Sequence, residues 1–196
     1  MVDFEKLKMM YKFGKGLSLS DAQVLFKSAK SKKFEPNDYL LKEGSVKKEI
    51  YFIKKGLIRI FSINDKGEEI TVGLFWENQP YASIDIIMMN QPSRHYAQAL
   101  ESTEILYIDY DLLENIVSKN PKLSHNRKFI WQKILKRAQD KIESFILYSP
   151  EERYTRFVEA NPDIINRVPN KYIANVLGIT PVSLSRIRSR IAQKKN

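Results

Sequence analysis

The 196-residue chain contains no cysteine. That excludes disulfides, thiolate zinc sites, cysteine-ligated iron–sulfur clusters and thiol redox switches. No apolar run approaches the ~18 residues that would span a bilayer, so no membrane partner is expected. The opening Met1-Val2-Asp3-Phe4-Glu5-Lys6 lacks the apolar stretch of a secretory signal, and a cytoplasmic location is expected. Histidine is scarce. His95 and His125 each stand without a ligand partner at metal-binding spacing, so no metal or haem site is expected. No Ser/His/Asp set, phosphate-cradling loop or carboxylate pair in a catalytic context stands out, and the chain is read as not an enzyme.

Acidic residues thin out toward the C-terminus. The chain carries 33 Lys+Arg against 23 Asp+Glu, net +10. Residues 1–117 hold 16 basic and 17 acidic groups, whereas residues 118–196 hold 17 and 6. After Asp163 come Arg167, Lys171, Arg186, Arg188, Arg190, Lys194 and Lys195 with no acid among them. A polyanion attracts such a surface by releasing condensed counterions. A basic run alone is often only a solvated face, so the charge matters here because it coincides with a structural motif.

That motif is Val168 to Ile191. Ile173, Val176 and Leu177 recur at helical spacing, Ala174 is small enough for a second helix to cross over it, and Gly178 suits the left-handed end of a helix. Thr180 is a good N-cap and Pro181 a good first helical residue. The helix that follows has an apolar stripe of Leu184, Ile187 and Ile191. Its other face carries Val182, Ser183, Ser185, Arg186 and Arg190. The spacing predicts a helix-turn-helix whose second helix lies in the major groove of double-stranded DNA. Arg186 is the candidate for a bidentate guanine contact, Ser183 for a base edge, and Val182, with Pro181, for a thymine methyl. Lys171, Tyr172, Ser185, Arg188 and Arg190 read as phosphate contacts that fix register.

Upstream, residues 3–30 look helical. From Phe34 the pattern turns to short apolar runs broken by turn residues: Tyr39-Leu40-Leu41, Ile50 to Ile53, Leu57 to Ile63, then Asn64-Asp65-Lys66-Gly67 and Ile70 to Phe75, and later Tyr96 to Leu100 and Ile105 to Ile108. Strands at this spacing predict a small antiparallel sandwich or barrel. Leu112, Leu113, Ile116 and Val117 mark a short helix. A long helix then runs from Pro121 to about Tyr148, with Ile130, Ile134, Ala138, Ile142 and Phe145 at spacings of three and four that suggest a seam, either against the chain's own barrel or in a homodimer. Ser149-Pro150-Glu151-Glu152 carries the cap of a new helix. The expected fold class is α+β, divided as 1–120 barrel with leading helices, 121–148 long dimerisation helix and 149–196 helix-turn-helix.

This order resembles the Crp/Fnr family of bacterial transcription regulators over nearly the whole chain. Two stretches carry the likeness. Glu49 to Ile60, followed by Lys66-Gly67-Glu68-Glu69, is similar to the central hairpins of a cyclic-nucleotide-binding barrel of double-stranded β-helix or jelly-roll type. Tyr172 to Ile191 is similar to the family's helix-turn-helix. Glu151-Glu152-Arg153-Tyr154 and Gly178-Ile179-Thr180-Pro181 look most like the Bacteroidetes branch. The resemblance implies a homodimer on a two-fold symmetric operator, with recruitment or exclusion of RNA polymerase. The barrel departs from the pattern. Where cyclic-AMP-binding members carry a Gly-Glu pair and an Arg-Ser pair, Ser83 stands at the ribose glutamate, Ser93 near the arginine and Arg94 about one position away, followed by His95. Cyclic AMP is therefore not the expected cofactor; another small acidic or aromatic effector, or none, remains open. Val182 stands where many members carry a glutamate, so base preference does not transfer. Only five residues follow Ile191, so the wing of a winged-helix domain is expected to be short or absent. The alternative is a ligand-sensing or protein-interaction module without sequence-specific DNA binding.

Overall fold

The computed structural model describes residues 23, 27–119 and 121–194, without the side chains of 121–130, 133 and 194. Nearly all of the expected leading helix, residues 3–30, lies outside the described residues, as does the side chain of His125. The described strands are β1 (Lys30–Phe34), β2 (Tyr39–Leu41), β3 (Glu49–Lys55), β4 (Leu57–Ile63), β5 (Glu69–Trp76), β6 (Pro80–Tyr81), β7 (Tyr96–Ala99) and β8 (Thr103–Asp109). The described helices are α1 (Ile84–Ile87), α2 (Tyr110–Ser118), α3 (Pro121–Leu147), α4 (Pro150–Ala160), α5 (Ile164–Arg167), α6 (Asn170–Leu177) and α7 (Pro181–Lys194).

The strands form two four-stranded sheets, ordered β1-β8-β3-β6 and β2-β7-β4-β5. This is the jelly-roll arrangement, in which antiparallel strands of two facing sheets share one core. Period-two alternation sends Ile53, Ile58, Ile60, Ala97, Ala99 and Ile105 into that core, closed by Phe34, Leu41, Tyr51, Tyr81 and Ile86. Gly56 turns β3 into β4 at φ +101, and a β-carbon there would come within 2.7 Å of the Thr103 backbone. Only glycine fits that close approach.

Two elements escape a reading of periodicity. β1 has three lysines in five residues and buries only Phe34; as an edge strand it needs no second apolar position. α1 is a single turn, too short to show a helical repeat.

The chain divides into two compact units. One comprises residues 1–60 and 75–134, the other residues 61–74 and 135–196. The contacts thus cut the long helix at Ile134 and group the tip of the β4–β5 hairpin with the C-terminal helices, rather than following divisions at 120 and 148. Within the second unit, Arg137 Nη2 donates to the Leu74 carbonyl at 2.8 Å and Lys141 Nζ to the Val72 carbonyl at 2.6 Å. The Thr71 amide donates to Asn175 Oδ1 at 3.1 Å. These bonds explain why 61–74 goes with the C-terminal helices.

Candidate nucleic-acid interface

Local chemistry sets each C-terminal helix. Ser149 caps α4 with its hydroxyl accepting from the Glu152 amide, while the Glu152 carboxylate accepts from the Ser149 amide at 2.8 Å. This reciprocal pair with Pro150 fixes the start of α4. Those hydrogen bonds hold the Glu152 carboxyl below its ordinary range. α6 begins after Pro169, which offers no side-chain cap; its carbonyl accepts from the Tyr172 amide at 2.9 Å. Ile173, Ala174 and Leu177 are buried. Gly178 ends α6 in the left-handed conformation, φ +65 and ψ 38.

Thr180 then opens α7. Its Oγ1 accepts from the Ser183 amide at 3.1 Å and its hydroxyl donates to Ser183 Oγ at 3.0 Å. Leu184 and Ile187 are buried and Ile191 is half-buried, so one stripe of α7 packs inward. Pro181, Val182, Ser185 and Arg186 are exposed, Val182 to 60%. A helix presenting an apolar side chain and a guanidinium to solvent over its first two turns can meet both a thymine methyl and a guanine edge.

The other expected DNA contacts differ among themselves. Lys171 is exposed at the start of α6, its ammonium 4.9 Å from the ring centre of half-buried Tyr172. Ser185 is exposed. Arg190 forms an ion pair with Glu151 at 2.8 Å. Arg188 turns back into the helical bundle: Nε donates to Tyr154 Oη at 3.1 Å and Nη1 to Asn170 Oδ1 at 2.7 Å. Ser183 is half-buried, and its hydroxyl and amide serve the cap. Sequence reasoning missed Tyr154 and Asn170 as partners, because nothing local links residues 34 and 18 positions from Arg188 in the chain.

On the long helix, Leu135, Ile142 and Ile146 are exposed to 70%, 61% and 74%, and Ala138 is exposed. Ile134 is half-buried, and the side chain of Ile130 lies outside the described residues. Phe145 is occupied: its ring lies against Gly178, with the Arg153 guanidinium 4.9 Å from the ring centre. The open stripe therefore runs through 135, 138, 142 and 146, displaced toward one side of the expected seam.

In the barrel, Ser83 and Ser93 are buried and their hydroxyls lie 3.4 Å apart. Ser93 Oγ also donates to the His95 carbonyl at 3.0 Å and accepts from the His95 amide. Burial pushes the His95 imidazole below its ordinary range. Arg94 extends outward, 77% exposed, and is tied to buried Asp85: Nη2 lies 2.8 Å from Oδ1, and the Arg94 amide donates to Oδ2 at 3.0 Å. The guanidinium hydrogen bonds hold the Asp85 carboxyl below its ordinary range, against the opposing effect of burial. Asp85 was not among the expected site residues. The signal was available, since it is the one acid between Ile84 and Met89, and a buried carboxylate needs a partner.

The family described as cyclic nucleotide-binding domain matches residues 31–120. The regulatory protein HlyX of Actinobacillus pleuropneumoniae is 27% identical over 172 residues, covering 82% of this chain and 71% of HlyX. An anaerobic regulatory protein of Haemophilus influenzae is 26% identical over 172 residues, and the chain spans 66% of its length. The structure of FixK2 from Bradyrhizobium japonicum superposes with a TM-score of 0.71 at 16% identity, covering 85% of this chain and 86% of FixK2. At that identity the likeness speaks to the fold alone.

Proposed function

We propose that this chain, which belongs to the Crp/Fnr family of transcription regulators, reads a two-fold symmetric site on double-stranded DNA as a homodimer. Crp/Fnr-type regulators bind DNA and act as dimers, and a family of transcription regulators is not a family of enzymes. The observation that carries the DNA reading here is the first two turns of α7, where Leu184 and Ile187 face inward while Val182 and Arg186 face solvent. α7 is the recognition helix of a helix-turn-helix. Arg186 meets a guanine, Val182 a thymine methyl, and Lys171 a phosphate.

The partner copy lies along the open stripe of α3. Leu135, Ala138, Ile142 and Ile146 form one face at spacings of three and four, and each exposed aliphatic side chain gains ~25 cal/mol per Å2 on leaving water. The resulting dimer sets two α7 helices about one helical turn of DNA apart, ~34 Å. RNA polymerase is the proposed downstream partner, in the cytoplasm.

The barrel acts without cyclic AMP. Supporting this, the one cation of the 83–95 segment, Arg94, has its guanidinium hydrogen-bonded to Asp85, and a serine stands where a ribose-binding carboxylate would be needed.

The test is a binding selection from random duplex, followed by titration of the enriched duplex across salt concentrations. A palindromic motif is the expected result. Retention of duplex without any enriched motif counts against sequence-specific regulation. In the same assay cyclic AMP should leave the affinity unchanged; a cyclic-AMP-dependent rise would overturn the effector reading.

A further inference from the structure

Resting on the DNA-binding reading above, we infer that Arg188 is a positioning residue for the recognition helix, acting from inside the domain rather than on a phosphate. The conclusion follows from where its three nitrogens go. Nε donates to Tyr154 Oη on α4 at 3.1 Å, and Nη1 donates to Asn170 Oδ1, the first residue of α6, at 2.7 Å. Nη2 is buried with no hydrogen-bond partner. The guanidinium carbon also sits 5.6 Å from the centre of the Tyr154 ring. A planar fork with five donors can span two helices at once, and here it joins α7 to the side of α4 and to the start of α6.

The geometry argues against two other roles. A phosphate ligand offers its donors to solvent, whereas here Nη2 is buried and Nε and Nη1 each donate to a protein oxygen. A mere surface ion pair would face a carboxylate, whereas both acceptors here are neutral. Arg188 lies on the flank of α7, between the buried stripe of Leu184 and Ile187 and the outward face of Arg186. Rotation of α7 about its own axis is the motion that would move Val182 and Arg186 relative to a groove. The hydrogen bonds of Arg188 oppose that rotation, because they tie α7 to two different helices through Tyr154 and Asn170. Arg153 does the corresponding work at the other end of α6, donating through Nε to the Leu177 carbonyl at 3.0 Å and through Nη1 to the Tyr148 carbonyl at 2.7 Å.

The experiment uses the full-length protein, the enriched duplex and a scrambled duplex of the same length. R188Q, R188K and Y154F are compared with the unaltered protein by anisotropy titration at several salt concentrations, with thermal melting of each variant. A clasp predicts that R188Q and Y154F lose tenfold or more in affinity for the enriched duplex and much less for the scrambled one. The salt slope stays unchanged, and the R188Q/Y154F pair loses no more than the larger single loss. R188K, which lacks the fork, fails to restore binding. Y154F removes one oxygen, so it keeps the test open if R188Q melts below the assay temperature. A salt slope reduced by about one unit in R188Q, with Y154F neutral, makes Arg188 a phosphate ligand and overturns the clasp. An unaltered protein that enriches no motif overturns the DNA reading and the clasp with it. A motif-selecting protein whose R188Q and Y154F variants bind equally well overturns the clasp alone.

Discussion

A β-carbon placed on Gly178 would lie 2.4 Å from Cε1 of Phe145. The ring from the long helix therefore fills the space left by the missing side chain at the turn between α6 and α7. Two independent demands meet at this glycine. Its φ of +65 belongs to the left-handed region, which costs an L-residue about 1–2 kcal/mol, and a methyl group would require the ring to shift. Gly178→Ala is expected to destabilise the C-terminal helices by about 2 kcal/mol, read as a lower melting temperature. G178A should cost less in the F145A background than in the unaltered protein, because the clash is gone and only the backbone strain remains. A G178A change that costs nothing in that background would show that the left-handed conformation is not strained here.

Arg186 and Lys171 should separate reading from holding. Arg186→Ala is expected to cost about 1–3 kcal/mol and to relax discrimination at one base pair per half-site. Lys171→Ala should weaken binding on every duplex and reduce the salt slope by about one unit. An equal loss on enriched and scrambled duplexes for Arg186→Ala would move it to the phosphate side of the interface.

The N-cap of α7 makes a third prediction. Thr180 Oγ1 accepts the Ser183 amide and donates to the Ser183 hydroxyl, so Thr180→Ala removes both bonds. Loss of a threonine cap costs about 0.5–2 kcal/mol. Thr180→Ser should keep most of this stability in a denaturant titration. A destabilised serine variant would mean that the threonine methyl, and not the cap, stabilises the turn.

Much of this arrangement was legible beforehand because it is written in short-range chemistry. The Ser149-Pro150-Glu151-Glu152 cap, the glycine stop at 178 and the Thr180-Pro181 start each depend on neighbours within four residues. The Leu57–Ile63 and Glu69–Trp76 strands, joined through Asn64 to Gly67, follow the same logic. What stayed hidden involves distant partners. Arg188, Ser183 and Arg190 look alike in sequence as polar residues of one helix, but Tyr154, Thr180 and Glu151 each engage one of them. Phe145 fits a helical seam by spacing, and the contact of its ring with Gly178 depends on how the chain returns 33 residues later. Asp85 and Arg94 are nine residues apart, across a one-turn helix and a loop with no repeat to set their register.

The stripe of Leu135, Ala138, Ile142 and Ile146 shares Ala138 and Ile142 with the expected seam and differs from it at Leu135 and Phe145. Ile142→Glu places a charge in the proposed dimer contact, where burying an unpaired carboxylate is strongly unfavourable. The variant should sediment as a monomer and lose half-site cooperativity, while its melting temperature changes little because Ile142 is 61% exposed in the single chain. Leu135→Glu should behave alike. Phe145→Ala, in contrast, should lower the melting temperature and leave the sedimentation coefficient that of a dimer. Dissociation by F145A without loss of stability would put Phe145 back into the seam.

Asp85 gives the barrel an acid-sensitive tie. Its carboxyl is held below the ordinary range chiefly by hydrogen bonds from the Arg94 side chain, with the Arg94 amide and charge adding to the effect. A carboxylate with a depressed folded pKa stabilises the protein fully above its unfolded value of ~3.9. That contribution is lost as the pH falls through the folded pKa. Barrel unfolding, followed by tyrosine fluorescence in a denaturant titration, should therefore show a stability loss that begins below about pH 4. Asp85→Asn removes the titrating group, so the variant starts less stable at pH 7 and its curve is flatter through the acid range. Arg94→Gln should flatten the same limb, because the depressed pKa originates in the guanidinium. If the two variants reproduce the unaltered protein's acid limb, the tie between residues 85 and 94 contributes nothing to the stability of the barrel.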